Sequence, residues 1–169
     1  ERLENVDMNL VQTTMNINTW SNKVIIDYCL KNKIKVNQVV VSSSSAGRSD
    51  SSMQYKTGHN AFSLSKATLN HMIAQYALEN PDTHFCTLSP GYMDTPMSRQ
   101  VASHGSDAVY FDQQRYIVLF KEQRMRQPID MAIKVISNLS TLKQIKSGSF
   151  IRIDENDNFH ISQASLQPI

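Results

Sequence analysis

The sequence predicts an α/β fold on a parallel sheet of about three strands with helices on both faces, and three observations carry that expectation. The run Val39-Val40-Val41 is short, apolar and without alternation, as in strands covered on both faces. Two stretches place apolar residues at helical spacing: Val24, Ile25, Tyr28 and Cys29 in one, and Leu69, Met72, Ile73 and Tyr76 in the other. The elements then alternate helix, strand, helix, strand, helix, strand, which implies parallel pairing through right-handed crossovers. Three such strands form a partial doubly wound sheet, and half a sheet leaves an unpaired edge.

In chain order, residues from about 5 to 32 are expected to form one long helix, closing near Asn32 and Lys33. Residues 38–41 form the first strand, which drops into Ser42-Ser43-Ser44-Ser45-Ala46-Gly47. The polar stretch 48–58 reads as a loop. A second helix covers about 60–79, and Pro81 enforces its end. Residues 83–88 form the next strand, stopped by Ser89-Pro90-Gly91. From 98 to 115 the pattern is mixed and predicts no element. Residues 114–125 carry a weak helical pattern and 128–140 a firmer one, with Pro128 fitting a first turn. Ser149 to Ile153 reads as the last strand and the remainder as a polar tail.

Composition bounds the function. The 169 residues suffice for one domain with its own core. Hydrophobic residues at 40% and charged residues at 19% describe a soluble globular chain. A net charge of +2 gives no footprint for nucleic acid or an anionic membrane. No apolar run approaches the ~18 residues that span a bilayer, and no signal-peptide pattern opens the chain. A cytoplasmic location, no membrane partner and no nucleic-acid partner are therefore expected. No metal site is expected either. Cys29 and Cys86 sit far apart in apolar surroundings, which predicts buried reduced thiols. The chain opens on Glu1 and not on methionine, and it reads as a fragment or a processed chain.

Four landmarks carry chemistry. Asn16 lies in Met15-Asn16-Ile17-Asn18-Thr19, inside the first helix. Ser44 ends the first strand. Phe62-Ser63-Leu64-Ser65-Lys66 opens the second helix. Pro90-Gly91-Tyr92-Met93-Asp94-Thr95-Pro96-Met97 follows the second strand. Carboxyl ends of parallel strands open onto one crevice, where such folds bind ligands, so Ser44, Lys66 and Thr95 are candidates to face one pocket. Taken singly, each reads as a helix, capping or turn residue; order and spacing give the set its meaning.

That set resembles the short-chain dehydrogenase/reductase family. Its signature is an asparagine, a serine at a strand end, Tyr-x-x-x-Lys and Pro-Gly-x-x-x-Thr. The resemblance runs from Asn5 to Asp154, with Ser65-Lys66-Ala67, Leu69-Asn70 and Asp94-Thr95 adding to it. Asp94-Thr95-Pro96-Met97 and Lys146-Ser147-Gly148-Ser149-Phe150 are most similar to the sepiapterin and benzil reductase branch. The resemblance implies a Rossmann-like fold and hydride exchange between NADP or NAD and a small carbonyl or alcohol substrate. It implies catalytic roles for Asn16, Ser44 and Lys66 and for the residue at 62. It places the cofactor against Lys66, Pro90, Gly91 and Thr95. It also implies a homodimer or tetramer through the helices of Asn16 and Lys66.

Two departures cut against full activity. Position 62 is phenylalanine, which has no proton to give, and a positioned general acid is worth ~10²–10⁴ in rate. The glycine-rich βα turn that cradles a pyrophosphate is absent: the glycines are Gly47, Gly58, Gly91, Gly105 and Gly148, and no two are close enough to form it. The amino-terminal half of the sheet is missing with it, so no dinucleotide is expected on this chain alone. The loop before Ala61 is longer than usual and contains Tyr55 and His59, either solvated or standing in as proton donors. Two readings follow: a weak or inactive fragment of an NAD(P)(H)-dependent oxidoreductase, or a non-catalytic relative serving as a binding or oligomerisation module.

Overall fold

The computed structural model describes residues 3–48, 60–103 and 111–162; Tyr55 and His59 lie outside them. The first long helix is present but interrupted. Helix α1 (Met8–Met15) and helix α2 (Ser21–Lys31) are joined by a π turn, Asn16–Trp20. Asp7 starts α1, its carboxylate accepting the Asn9 N–H at 3.0 Å. A π turn inside a helix adds one residue per turn, and such turns are frequent at functional sites. Helix α3 (Asn60–Glu79) matches the expected second helix.

Three parallel strands form as the sequence predicts: β1 (Gln38–Ser42), β2 (His84–Ser89) and β3 (Ser149–Ile153). The expected polar tail is corrected. It holds a fourth strand, β4 (Phe159–Ser162), antiparallel to β3, so the sheet has four strands in the order β1-β2-β3-β4. Its four-residue alternation, Phe159 and Ile161 against His160 and Ser162, is too short to stand out from its polar surroundings.

Successive strand residues face opposite sides, and both sides are covered. Val41 and Phe85 pack against Ile26 of α2 and against Leu69, Ile73 and Tyr76 of α3. On the other side, Cys86, Leu88, Ile151 and Ile153 pack against Met131 and Leu142. Those two belong to helices α6 (Pro128–Ser137) and α7 (Leu139–Lys143). Helices α4 (Pro96–Ala102) and α5 (Phe111–Lys121) fill the stretch that predicted no element and the weakly helical one after it. The α4 signal was present in Thr95-Pro96, a capping residue followed by a first-turn proline. No helix among the described residues is long and apolar enough to cross a membrane.

Among the described residues β1 pairs only with β2, so its other edge is open. A cavity of about 300 Å³ touches both Val39 and Val40, together with Ile25, Ile26, Cys29 and Leu30 of α2. Three consecutive valines without lysine, proline or bulge are the composition of a central strand and lack the usual protection of an edge.

The far side of the sheet is closed by polar contacts. Between β3 and β4 the Asp154 carboxylate accepts the Asn156 and Asn158 N–H groups at 2.9 and 2.8 Å and meets His160 Nε2 at 2.5 Å. The Asn158 backbone N–H, then His160, hold this carboxyl well below the usual carboxylate range. With the folded value depressed, its stabilisation is complete above the ordinary aspartate value of ~3.9 and is lost as pH falls through the folded value. Thermal melts across the acid range are expected to show a flatter dependence of Tm on pH for Asp154→Asn; parallel acid limbs for the two proteins would count against this role.

Candidate functional site

The site is built where β1 ends. Past Ser42 the chain enters a short 3-10 turn, Ser45–Gly47. Ser44 caps it, Oγ accepting the Ala46 N–H at 3.1 Å, which leaves the hydroxyl proton to be donated elsewhere. A Cβ on Gly47 would lie 2.5 Å from the Lys66 carbonyl carbon, so only glycine lets the turn rest on the backbone of α3. Ser43 Oγ donates to Asn70 Oδ1 at 2.6 Å, and Asn70 Nδ2 donates to the Gly47 carbonyl at 3.3 Å. On the other side the Ser45 N–H donates to Ser89 Oγ at 3.1 Å, tying the turn to the end of β2.

Lys66, on the first turns of α3, reaches back to β1. Its Nζ donates to the Ser42 carbonyl at 3.1 Å. The Ser43 N–H donates toward β2, to the Leu88 carbonyl at 2.7 Å. Strand residues alternate in direction, so the Ser42 carbonyl points to the open edge and Lys66 satisfies it there. The aromatic ring of Phe62, one turn earlier, lies 5.7 Å from Nζ. Burial pushes the Lys66 pKa down, because desolvation disfavours the ammonium. Residue 62 thus stands against the lysine as the spacing implied, and it brings a ring face in place of a hydroxyl.

Asn16 is not brought to this cluster. Its side chain is exposed, and its Oδ1 accepts from Gln12 Nε2 at 2.9 Å within the first helix. Two neighbours in the π turn reach α3 instead. Asn18 Nδ2 donates to Ser65 Oγ at 3.0 Å, and the buried Thr19 donates to the Ser65 carbonyl at 2.8 Å. Ser65 completes the chain by donating to the Phe62 carbonyl at 2.7 Å. Sequence reasoning assigned no role to Asn18 or Thr19 and marked Ser65 only as the neighbour of Lys66. The available signal was that Thr19 lies seven residues before Ile26, on the same inward face.

The Pro90-Gly91 turn follows directly on Ser89. Gly91 has φ +80°, which favours glycine. Thr95 Oγ1 accepts the Ser98 N–H at 3.2 Å and Ser98 Oγ accepts the Thr95 N–H at 2.8 Å, a capping box for α4. Arg126 fixes the segment: its carbonyl accepts the Asp94 N–H at 2.8 Å, its N–H donates to the Tyr92 carbonyl at 3.2 Å, and Nη1 donates to Pro90 at 3.4 Å. The same guanidinium bonds the Asp154 carbonyl and pairs with Asp157 at 2.9 Å. No motif pointed to Arg126. Ser44, Lys66, Phe62 and the Pro90 turn therefore share one rim of the sheet. Thr95 spends its hydroxyl on its own helix, and Asn16 faces outward. Chemically, the rim carries a hydroxyl at Ser44, an amine at Lys66 and a phenyl ring at Phe62.

Comparison with known proteins bears on the fold. No protein-family model matches the chain, and no curated protein matches it in sequence. Solved structures do. A short-chain dehydrogenase/reductase from Saccharomyces cerevisiae is 21% identical with a TM-score of 0.72, over 93% of this chain and 61% of that one. The carbonyl reductase Sniffer of D. melanogaster is 18% identical, TM-score 0.63, over 90% and 58%. A short chain dehydrogenase from Burkholderia cenocepacia in complex with NADP is 18% identical, TM-score 0.61, over 92% and 59%. The chain has the fold of the short-chain dehydrogenases/reductases and spans about 60% of the length of these structures.

The Gly47 contact is open to a direct check. Gly47→Ala is expected to push the turn off α3 and to cost about 1–3 kcal/mol, read as a lower midpoint in urea unfolding; an unchanged midpoint would show that the turn is free to move.

Proposed function

We propose that this chain is the carboxyl-terminal part of an NAD(P)(H)-dependent oxidoreductase domain whose carbonyl or alcohol site is inherited in outline and impaired in detail. One observation carries the reading. On this fold, Lys66 lies at the carboxyl end of β1 with residue 62 against its amine, and residue 62 is phenylalanine. A dinucleotide would meet Lys66 and the Pro90-Gly91 turn on one side. The other side does not fit it. The chain lacks a glycine-rich turn, and Gly47, the glycine beside the site, has the space in front of it filled by the backbone of α3. The pyrophosphate must be held by residues outside this chain, and the open edge of β1 is where further sheet would join.

Within these limits Ser44 and Lys66 bind and orient a carbonyl oxygen, the turn 45–47 holds Ser44 in place, and Asn18 and Thr19 fix the start of α3. Oligomerisation through the interrupted helix of α1, the π turn and α2, and through α3, belongs to the same reading. Ile17 and Val24 on one, and Leu64 and Leu78 on the other, are large apolar residues left in solvent. They equally favour the second reading, a non-catalytic oligomerisation module.

Phe62→Tyr in the full-length protein separates the two. If the site is an impaired reductase, the variant is expected to raise carbonyl reduction with NADPH or NADH by about 10²–10⁴. No gain with any carbonyl compound, alongside a stable dimer in sedimentation, would favour the module. For the isolated chain, calorimetry with NADPH is expected to show no micromolar binding; a micromolar Kd would mean that the cradle lies within these residues after all.

A further inference from the structure

We propose that Lys66 is a nucleophilic amine that condenses with small aldehydes and ketones at the carboxyl end of β1. The inference goes beyond hydride transfer and needs no dinucleotide, so it stands or falls separately from the proposed oxidoreductase function.

The surroundings of Nζ carry it. Among the described residues its hydrogen-bond partner is a neutral backbone carbonyl, that of Ser42, and the Phe62 ring lies 5.7 Å from Nζ. Among the described residues no carboxylate pairs with it, whereas Lys23 and Lys31 are held by Asp27 and Lys134 by Asp157. A half-buried lysine with no anionic partner among the described residues, set against a phenyl ring, is the kind of amine that attacks carbonyl carbon. Desolvation favours its neutral form, and no charged side chain contributes to that shift. Phe62 is central to this. A hydroxyl there would give the amine a polar partner, and in its ionised form an anionic one. A phenyl ring at 5.7 Å supplies only a weak attraction near the far end of the cation–π range. Ser44, two residues beyond Ser42 at the same strand end, keeps a hydroxyl proton for the carbonyl oxygen.

The step balances without a redox change. The Nζ lone pair forms a bond to the carbonyl carbon, and the carbon–oxygen π pair moves to oxygen. Proton transfer from nitrogen to that oxygen gives a carbinolamine. Loss of one water then leaves the imine.

The test is reductive trapping. The 169-residue chain is treated with benzaldehyde and sodium cyanoborohydride near neutral pH, and the benzylated lysines are followed in time by peptide mass mapping. Lys66 is expected to be labelled several-fold faster than the exposed Lys33, Lys35 and Lys146. Labelling at or below their rate overturns the proposal. Phe62→Tyr, with its fold checked by circular dichroism, is expected to bring Lys66 down to the rate of those lysines; a rate as fast as before overturns the part given to the phenyl ring. Lys66→Arg is expected to lose the fast adduct while the slow ones remain, and a fast adduct surviving in that variant also overturns the proposal.

Discussion

The seating of α3 on the face of β1 and β2 is the contact on which the rest depends. Leu69 and Ile73 are fully buried against Phe85, and burial of side chains of this size stabilises by about 1.5–3 kcal/mol each. That apolar contact fixes the helix over the sheet but leaves its first turns free to lean. Gly47 removes the freedom. Without a side chain, the turn after β1 touches the helix backbone at Lys66 and Ala67. The start of the helix is then pinned from the other side by Asn18 and Thr19. Lys66 and Phe62 inherit their positions from this arrangement, so the site is a product of core packing and one absent side chain.

Much of this was legible in the sequence. The unbroken valine triplet and the 3.6-residue stripe of Leu69, Met72, Ile73 and Tyr76 are burial requirements written into residue type, so the parallel strands and α3 could be read directly. Lys66, Phe62 and Ser44 could be placed because they sit at ends of those elements. What was not legible has a common cause. The strand Phe159–Ser162 and the helix Pro96–Ala102 are short: the one shows too few residues for its alternation to stand out and forms by pairing back on β3, and the other starts from a cap in a segment that Arg126 holds. Asn16 was singled out by its spacing, yet it faces solvent, because spacing does not show which way a side chain points around an interrupted helix.

The two ends of the sheet are held differently. The β3–β4 side is closed by charge: Arg126 and Asp157, Arg115 and Glu155. Solvent-facing pairs of this kind are individually weak, on the order of 0–1 kcal/mol, and Arg126 matters more by fixing where the Pro90 turn sits. The β1 side is apolar and open.

That open side has a consequence for how the protein behaves in bulk. Among the described residues no strand pairs with the outer edge of β1, and an unpaired edge on a valine strand is a template for any extended chain that meets it. Cohesion along this edge is a property of the backbone, so altering surface charge elsewhere does little to suppress it, whereas a strand laid beside β1 removes it at the source. The solubility of these residues is thus tied to the company they keep.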